Sequence, residues 1–204
     1  MREGLTVAGI VVLLGTAVFA TDWPQWQGPD RTRLSKETGL LKEWPAGGPP
    51  VVWTATGLGS GYSSMAVAGD RVYLQAAVGR NSGVIALNRA DGKPLWAKGV
   101  GPAQGNDKGG GPRSTPTIDG DRLYVLTEGG DLACLGMDGA ILWQRNILKE
   151  FRGRQIQWLI SESPLVDGPH VVVSPGGPGA GMVKLDKTTG ATVWTSKDRS
   201  DPAA

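Results

Sequence analysis

Three residues that could bind a ligand occur at corresponding places along the sequence. Tyr62, Arg113 and Glu162 each lie shortly before an apolar run, and each has a serine close by. A phenol ring, a guanidinium and a carboxylate together offer a stacking surface, donors and acceptors. If the fold brings them to one mouth of a channel, they form a candidate binding face. The alternative interpretation is that Arg113 and Glu162 form an ion pair between repeats, while the serines and Thr115 satisfy turn backbone.

Two linkers, residues 97–112 and 144–160, are longer and more varied than a turn requires. Loops of this kind on a rigid scaffold often carry binding residues. The second linker contains Trp158 among basic residues, so Trp158 joins the candidate binding face. The alternative is a solvated loop with Trp158 packed between repeats. Within this linker, residues 146–151 are compatible with a single helical turn.

Other reactive residue types give no site. His170 is the only histidine and Cys134 the only cysteine, which excludes an intrachain disulfide and the common cysteine-based zinc sites. We expect His170 to be a strand residue and Cys134 a buried small side chain. The glycine-rich segment 176–181 has no helix after it, so it does not predict a phosphate loop. The residues themselves therefore predict no catalytic, cofactor-binding or metal-binding group.

A sequence repeat determines where these residues lie in the predicted fold. Paired apolar segments, joined by glycine-containing turns and ending in tryptophan, occur three times, at residues 63–96, 114–143 and 161–194. Each unit reads as four short strands, because the runs are short, apolar or alternating, and bounded by Asp-Gly or Thr-Gly turns. A period in the forties with four strands points to a propeller blade, and a β-sandwich is the structural alternative. The predicted blades cover about residues 62–98, 113–145 and 161–196, and an orphan outer strand covers 51–55.

The end of each unit combines a turn glycine with a terminal tryptophan. Such a strand allows the indole to lie over the neighbouring sheet while its N–H reaches a backbone carbonyl. The second unit has a turn one residue shorter, which predicts a weaker contact there. The residues predicted to dock one blade on the next, a structural role, are Trp53, Trp96, Trp143, Trp194, Gly92, Gly139 and Gly190.

These closing segments resemble the tryptophan-docking repeats of the PQQ-like (quinoprotein alcohol dehydrogenase-like) β-propellers, from about Trp23 to the C-terminus. The resemblance implies an all-β fold, a partial β-propeller of about three four-stranded antiparallel blades. Enzymes of this family clamp pyrroloquinoline quinone (PQQ) between a tryptophan and a disulfide of adjacent cysteines, beside calcium. This sequence has one cysteine and no cluster that maps onto the calcium ligands. PQQ with calcium is therefore expected only in a full-length parent.

Two functions remain open under this resemblance. The first is a non-catalytic scaffold or binding module that takes a protein partner or a small ligand at its loop face, comparable to assembly factors of the BamB type. The second is a fragment of a PQQ-dependent quinoprotein dehydrogenase acting on alcohols or polyvinyl alcohol. Family propellers have about seven or eight blades, so we expect a truncated fragment whose incomplete ring needs C-terminal blades or self-association. A small protein that closes its ring by oligomerising is the alternative.

Composition limits the remaining possibilities. The 204 residues are 40% hydrophobic, which suits a globular core, and the net charge of +2 gives no electrostatic case for nucleic acid. Residues 1–20 read as a cleaved signal peptide, with an uncleaved anchor as the alternative, and predict a periplasmic or otherwise exported protein. Residues 21–50 are expected to form an extended segment, and no other stretch is apolar and long enough to span a membrane.

Overall fold

The computed structural model describes residues 21–178 and 180–196 as three four-stranded antiparallel sheets and one two-stranded hairpin. The first sheet contains β1 (Ala66–Ala68), β2 (Arg71–Val78), β3 (Asn81–Asn88) and β4 (Pro94–Pro102). The hairpin contains β5 (Gly105–Asn106) and β6 (Gly109–Gly110). The second sheet contains β7 (Thr117–Asp119), β8 (Arg122–Leu126), β9 (Asp131–Gly136) and β10 (Ile141–Asn146). The third contains β11 (Leu165–Asp167), β12 (His170–Val173), β13 (Val183–Asp186) and β14 (Thr192–Thr195).

Within each sheet the strands follow one another in chain order, as in a propeller blade. The all-β prediction and the partial propeller of three blades are therefore confirmed. The turns between the two innermost strands contain Gly69, Gly120 and Gly168, with φ of 56°, 61° and 55°. Glycine adopts this left-handed conformation without steric cost, and this explains the regular turn signal in the sequence. The predicted signal peptide, residues 1–20, lies outside the described residues.

The apolar cores lie between neighbouring sheets. On β8, Leu123 and Val125 pack with residues of the first sheet, whereas Tyr124 and Leu126 pack with residues of the third. Successive strand residues point to opposite faces, so the middle sheet needs an apolar side chain at every position. This is why β8 reads as a continuous apolar run in the sequence.

The N-terminal segment crosses the inner strands of all three sheets. Trp23 forms two backbone hydrogen bonds of 2.9 Å with Val67, and the Ile118 amide donates to the Pro24 carbonyl at 2.8 Å. The Arg31 guanidinium Nη2 donates to the Pro164 carbonyl at 2.6 Å. The segment of residues 23–31, which we call the crossing segment, therefore ties three sheets together, a role that sequence reasoning missed.

Two local predictions have different outcomes. Residues 51–55 form no ladder with other described residues. The orphan outer strand is expected to pair with a blade beyond this chain, so it stays a prediction. The helical turn is confirmed as α1 (Ile147–Glu150), where the Asn146 side chain accepts from the Lys149 amide. No helix among the described residues is apolar and long enough to cross a membrane.

Candidate functional site

The tryptophan that ends the first sheet docks on the second. The Trp96 ring lies against Gly139, where an added Cβ would meet the ring at 2.9 Å, and its indole N–H donates to the Met137 carbonyl at 3.1 Å. Tyr73 lies beside the indole, with ring centroids 6.0 Å apart. The glycine at this position therefore provides both the turn and the space for the indole.

The same arrangement joins the second and third sheets. Trp143 lies against Gly190, and both its indole N–H (3.1 Å) and the Tyr124 hydroxyl (3.0 Å) donate to the Lys187 carbonyl. The shorter turn of the second unit does not lengthen the indole hydrogen bond that docks on it. The donor–acceptor distance is 3.1 Å for Trp96, which docks on this turn, and 3.1 Å for Trp143, which docks on the longer one.

Trp53 docks on the first sheet from the N-terminal side, and Trp194 behaves differently. Trp53 lies against Gly92 and donates to the Arg89 carbonyl at 2.9 Å. Trp194 is 51% exposed, and no acceptor for its indole N–H is found within the described residues. Three of the four tryptophans therefore form the docking contact, each with the turn of the sheet that follows in the chain.

The predicted binding residues Tyr62 and Arg113 do come together. The Arg113 guanidinium carbon lies 5.2 Å from the centroid of the Tyr62 ring, in cation–π geometry. Arg113 also donates to the carbonyls of Gly109 (3.1 Å) and Gly111 (3.0 Å). Tyr62 remains 62% exposed. The hairpin of β5 and β6 thus holds the arginine while leaving the phenol ring open to solvent.

A hydrogen bond joins the two long linkers beside the Tyr62–Arg113 pair. The Asn106 side-chain amide donates to the Gln157 carbonyl at 2.7 Å, next to Trp158. Trp158 is 52% exposed, so the interpretation that it packs between repeats is wrong. We call Tyr62, residues 104–113 and residues 155–158 the loop face. Its exposed aromatic side chains lie on backbone that is anchored on both sides.

A buried acid, Glu128, positions the loop face from below. Its Oε1 accepts from the Ser82 hydroxyl and from the Gln104 amide, both at 2.7 Å, and its carbonyl accepts from the Gln155 side chain. Glu128 is fully buried. Sequence reasoning missed it because a single glutamate beside a turn gives no distinguishing signal. The carboxylate links the first sheet to the first linker, and the Glu128 carbonyl holds the second linker.

Glu162, the third predicted binding residue, belongs elsewhere. Its Oε1 accepts from the Ser174 amide at 2.5 Å, and it lines a cavity of about 330 Å³ with Arg31. Burial raises the pKa of the Glu162 carboxyl, although the Ser174 bonds and the Arg31 charge oppose the shift. Burial likewise lowers the pKa of Arg31. The alternative ion pair between Arg113 and Glu162 is therefore wrong, because the hairpin carbonyls hold Arg113.

The serines and Thr115 follow the structural interpretation in part. The Ser63 hydroxyl accepts from the Gln75 amide at 3.1 Å, and the Thr115 amide donates to the Ser163 hydroxyl at 2.9 Å. Ser161 contributes to the cavity beside Glu162. The Ser63 and Ser163 hydroxyls thus accept from backbone amides, whereas the buried Ser114 hydroxyl has no partner among the described residues.

The residues present do not fit the quinone clamp implied by the family. Cys134 is fully buried and packed with Tyr124 and Trp143, and burial raises the pKa of its thiol. A thiol enclosed in this core cannot form the adjacent-cysteine disulfide that covers the quinone. Among residues 21–178 and 180–196, no three His, Cys, Asp or Glu side chains are grouped to hold a metal ion.

Comparison with known proteins identifies the fold. No curated protein matches the chain. Two quinohemoprotein alcohol dehydrogenases are similar in structure. The enzyme from Comamonas testosteroni is 20% identical with a TM-score of 0.59, and covers 85% of this chain and 26% of its own. The enzyme ADHIIG from Pseudomonas putida HK5 is 19% identical with a TM-score of 0.52, and covers 71% and 22%.

BamB from Moraxella catarrhalis is 23% identical over 72% of this chain and 39% of its own, with a TM-score of 0.49. The chain thus spans well under half the length of these three proteins. A family model described as outer membrane protein assembly factor BamB matches residues 30–104 and 80–204. Because these matches cover most of the sequence, the chain belongs to the PQQ-like β-propeller repeat family represented by that BamB model.

Proposed function

We propose that this chain is an exported, non-catalytic PQQ-like propeller module that binds a protein partner through the loop face. The observation that carries the proposal is the exposure of Tyr62 and Trp158, 62% and 52%, on linkers that hydrogen bonds hold in place. Tyrosine, tryptophan and arginine are the residues that most often dominate binding energy at protein interfaces. The loop face presents all three.

Rigidity supports binding by the loop face. A surface that is ordered before association loses less conformational entropy when a partner binds. Here the Asn106–Gln157 bond joins the two linkers, and Glu128 fixes both from the interior. The description of the family model as an assembly factor agrees with a protein partner. Residues 104–113 and 155–158 therefore act as a preformed platform.

Export and truncation are separate parts of the proposal. Mass spectrometry of the protein from its native source should find a mature N-terminus near Thr21, and an intact residue 1 would contradict cleavage.

The limited share of each similar structure that the chain spans supports a fragment. DNA sequence beyond codon 204 should continue into further repeats, whereas an immediate stop codon would favour closure by self-association. Sedimentation of the purified chain distinguishes a monomer from such an oligomer.

Site-specific crosslinking tests the loop face. A photo-crosslinking amino acid at position 158 should capture a discrete partner in the producing cells, and excess unmodified protein should compete with the capture. The double variant Tyr62→Ala/Trp158→Ala should compete at least about tenfold less well, because hot-spot truncations commonly cost more than 1 kcal/mol each. A crosslinker at Trp44, which is 70% exposed but off the loop face, is the matched control. Equal competition by the double variant would overturn the proposal.

The competing function is a PQQ-dependent dehydrogenase. Its structural support is the likeness to two quinohemoprotein alcohol dehydrogenases, which at this identity concerns the fold. We expect the chain, incubated with PQQ and calcium, to give no dye-linked oxidation of ethanol or polyvinyl alcohol. Turnover that depends on both additions would contradict a non-catalytic role.

A further inference from the structure

A cavity separates the crossing segment from the inner end of the third sheet, away from the loop face. Its volume of about 330 Å³ lies within the range of pockets for small molecules. Trp26 and Arg31 line it from one side, and Glu162 lines it from the other. Three serines complete its polar rim, Ser161, Ser163 and Ser174.

Two opposite charges face this cavity without pairing to each other. Among the described residues, Arg31 and Glu162 form no ion pair within 4.0 Å. Arg31 uses Nε for the Gln25 side chain (2.9 Å) and Nη2 for the Pro164 carbonyl (2.6 Å). Glu162 uses Oε1 for the Ser174 amide. The Arg31 Nη1 thus has no hydrogen-bond partner among the described residues, and the Glu162 carboxylate is held by the Ser174 amide and side chain alone. A carboxylate oxygen accepts more than one hydrogen bond, so both groups are available to a ligand.

The remainder of the wall is apolar. Leu165, Val172 and Met182 line the cavity from the third sheet, and Trp26 faces them from the crossing segment. Trp26 and Met182 are 45% and 42% exposed. A pocket with an apolar floor and a few convergent polar groups is the usual form of a small-molecule site.

The backbone that carries Arg31 is strained. Gln27, Arg31 and Arg33 adopt φ of 66°, 52° and 65°, in the left-handed region that non-glycine residues seldom occupy. Strain of this kind persists where the surroundings hold the residue in place, and it concentrates at ligand sites. The bonds from Arg31 to Gln25 and Pro164 provide that hold. The guanidinium is therefore fixed at the cavity and cannot swing freely into solvent.

We propose that this cavity binds a small zwitterion, a free α-amino acid with an apolar side chain. The ligand carboxylate accepts from Arg31 Nη1, and the ligand ammonium donates to Glu162 Oε2. The ligand side chain lies between Trp26 and Met182. A zwitterion matches both charges at once, whereas a simple anion would face Glu162 and a simple cation would face Arg31.

Desolvation of the two charges agrees with such a ligand. Burial raises the pKa of Glu162 and lowers the pKa of Arg31, so each charged form lacks part of its compensation in the free protein. A ligand that supplies the opposite charge to each group removes both deficits. Charge-assisted hydrogen bonds of this type are stronger than neutral ones.

Calorimetric titration of the full chain tests the site. L-leucine should bind, and N-acetyl-leucine and leucinamide, which lack the ammonium and the carboxylate charge respectively, should each bind at least about tenfold more weakly, in keeping with the worth of hydrogen bonds to charged groups. In Glu162→Gln the preference for leucine over N-acetyl-leucine should disappear. Glu43→Gln makes the same change at an exposed position outside the cavity and should leave binding unaltered.

The outcomes are decisive in both directions. Circular dichroism must first show that Glu162→Gln keeps the wild-type spectrum; if it does not, Trp26→Ala, on the crossing segment, replaces it and should weaken leucine binding. Absence of leucine binding, binding of N-acetyl-leucine or leucinamide as tight as that of leucine, or preferential binding of glucose would each overturn the proposal. None of these results bears on the loop face, because the cavity and the crosslinking site share no residue.

Discussion

Trp143 and Trp194 end the same motif in neighbouring sheets, yet their environments differ. Trp143 lies on the turn glycine Gly190 and donates to the Lys187 carbonyl at 3.1 Å. Trp194 is 51% exposed. The strand beside Trp143 places the buried Cys134 opposite the indole, whereas the strand beside Trp194 places Lys184 there.

The difference shows that a terminal tryptophan is not sufficient for docking. The contact also requires a glycine turn on a following sheet, and no sheet follows Trp194 among the described residues. Where the docked tryptophan ends a sheet, as Trp143 does, a small apolar residue also lies on the adjacent strand and an aromatic ring two strands away. The second sheet supplies Cys134 and Tyr124, and the third sheet has Lys184 and Val172 at the paired positions. Lys184 instead forms an exposed ion pair with Asp167 at 3.0 Å. The third sheet thus presents a more polar face beside its tryptophan.

Exchange of Cys134 and Lys184, the residues opposite the two tryptophans, should have the largest effect on stability. Cys134→Lys places an ammonium in a core without a partner, and the cost of burying an unpaired ion is several kcal/mol. We expect loss of cooperative unfolding, followed by urea denaturation and near-ultraviolet circular dichroism. The reciprocal Lys184→Cys removes only an exposed ion pair and should change stability by less than about 1 kcal/mol. Similar losses in both variants would contradict the distinction between the two faces.

Removal of the indoles should have the next largest effect. Trp143→Ala should lower the free energy of unfolding by about 3 kcal/mol, because it empties a packed position and removes one of the two donors to the Lys187 carbonyl. Trp194→Ala should cost less than about 1 kcal/mol, as expected for an exposed side chain. Urea titration of both variants measures the difference. Equal losses would mean that Trp194 is docked in solution.

Turn glycines should sharpen the comparison further. Gly190→Ala should cost about 2 kcal/mol, because an added Cβ would meet the Trp143 ring at 2.8 Å and the residue holds φ of 74°. Gly168→Ala is the matched control, since its φ is 55° but no atom lies within 4 Å of the added Cβ. The control should show the conformational cost alone, about 1 kcal/mol. If both variants are equally unstable, the indole does not rest on Gly190.

The smallest expected effect is on the pH dependence of stability, through the charge of Glu162 near the third sheet. The folded pKa of Glu162 lies above its ordinary value of 4.5. Between these two values the folded protein therefore binds more protons than the unfolded chain. Stability from this group is therefore present below pH 4.5 and is lost as the pH rises through the folded pKa. Glu162→Gln should be slightly more stable than wild type at pH 7 and equal to it near pH 4, measured by thermal melts. A constant difference across this range would contradict the shift.

The repeats could be predicted from sequence because their determinants are local. A glycine that turns the chain and an alternation of apolar residues leave a regular trace, as in residues 114–143. Equivalent positions in successive units predict that Tyr62 and Arg113 lie near one mouth of the channel, and the structure places the two side chains in contact. Glu162 occupies the same position in the third unit, but its environment is set by the crossing segment, which belongs to no repeat.

The missed features depend on contacts between distant backbone groups. Trp23 and Pro24 use main-chain atoms to bind Val67 and Ile118, and main-chain bonding leaves no mark in residue type. The β5–β6 hairpin contains glycine and asparagine without an apolar pattern, so it read as an irregular linker. The Asn106–Gln157 bond beside the exposed Trp158 likewise joins two loops far apart in the sequence.

The crossing segment also determines how the chain unfolds. In an array of repeats that contact only their neighbours, units can be lost one at a time from an end. Here residues 23–31 contact the inner strands of all three sheets, and the bond from Arg31 to Pro164 spans 133 positions. Release of any one sheet removes one of the three attachments of the segment and loosens the other two, which couples the melting of the sheets. Such a long-range closure forms slowly, so the segment is expected to lock last during folding and to convert three separable repeats into one cooperative unit.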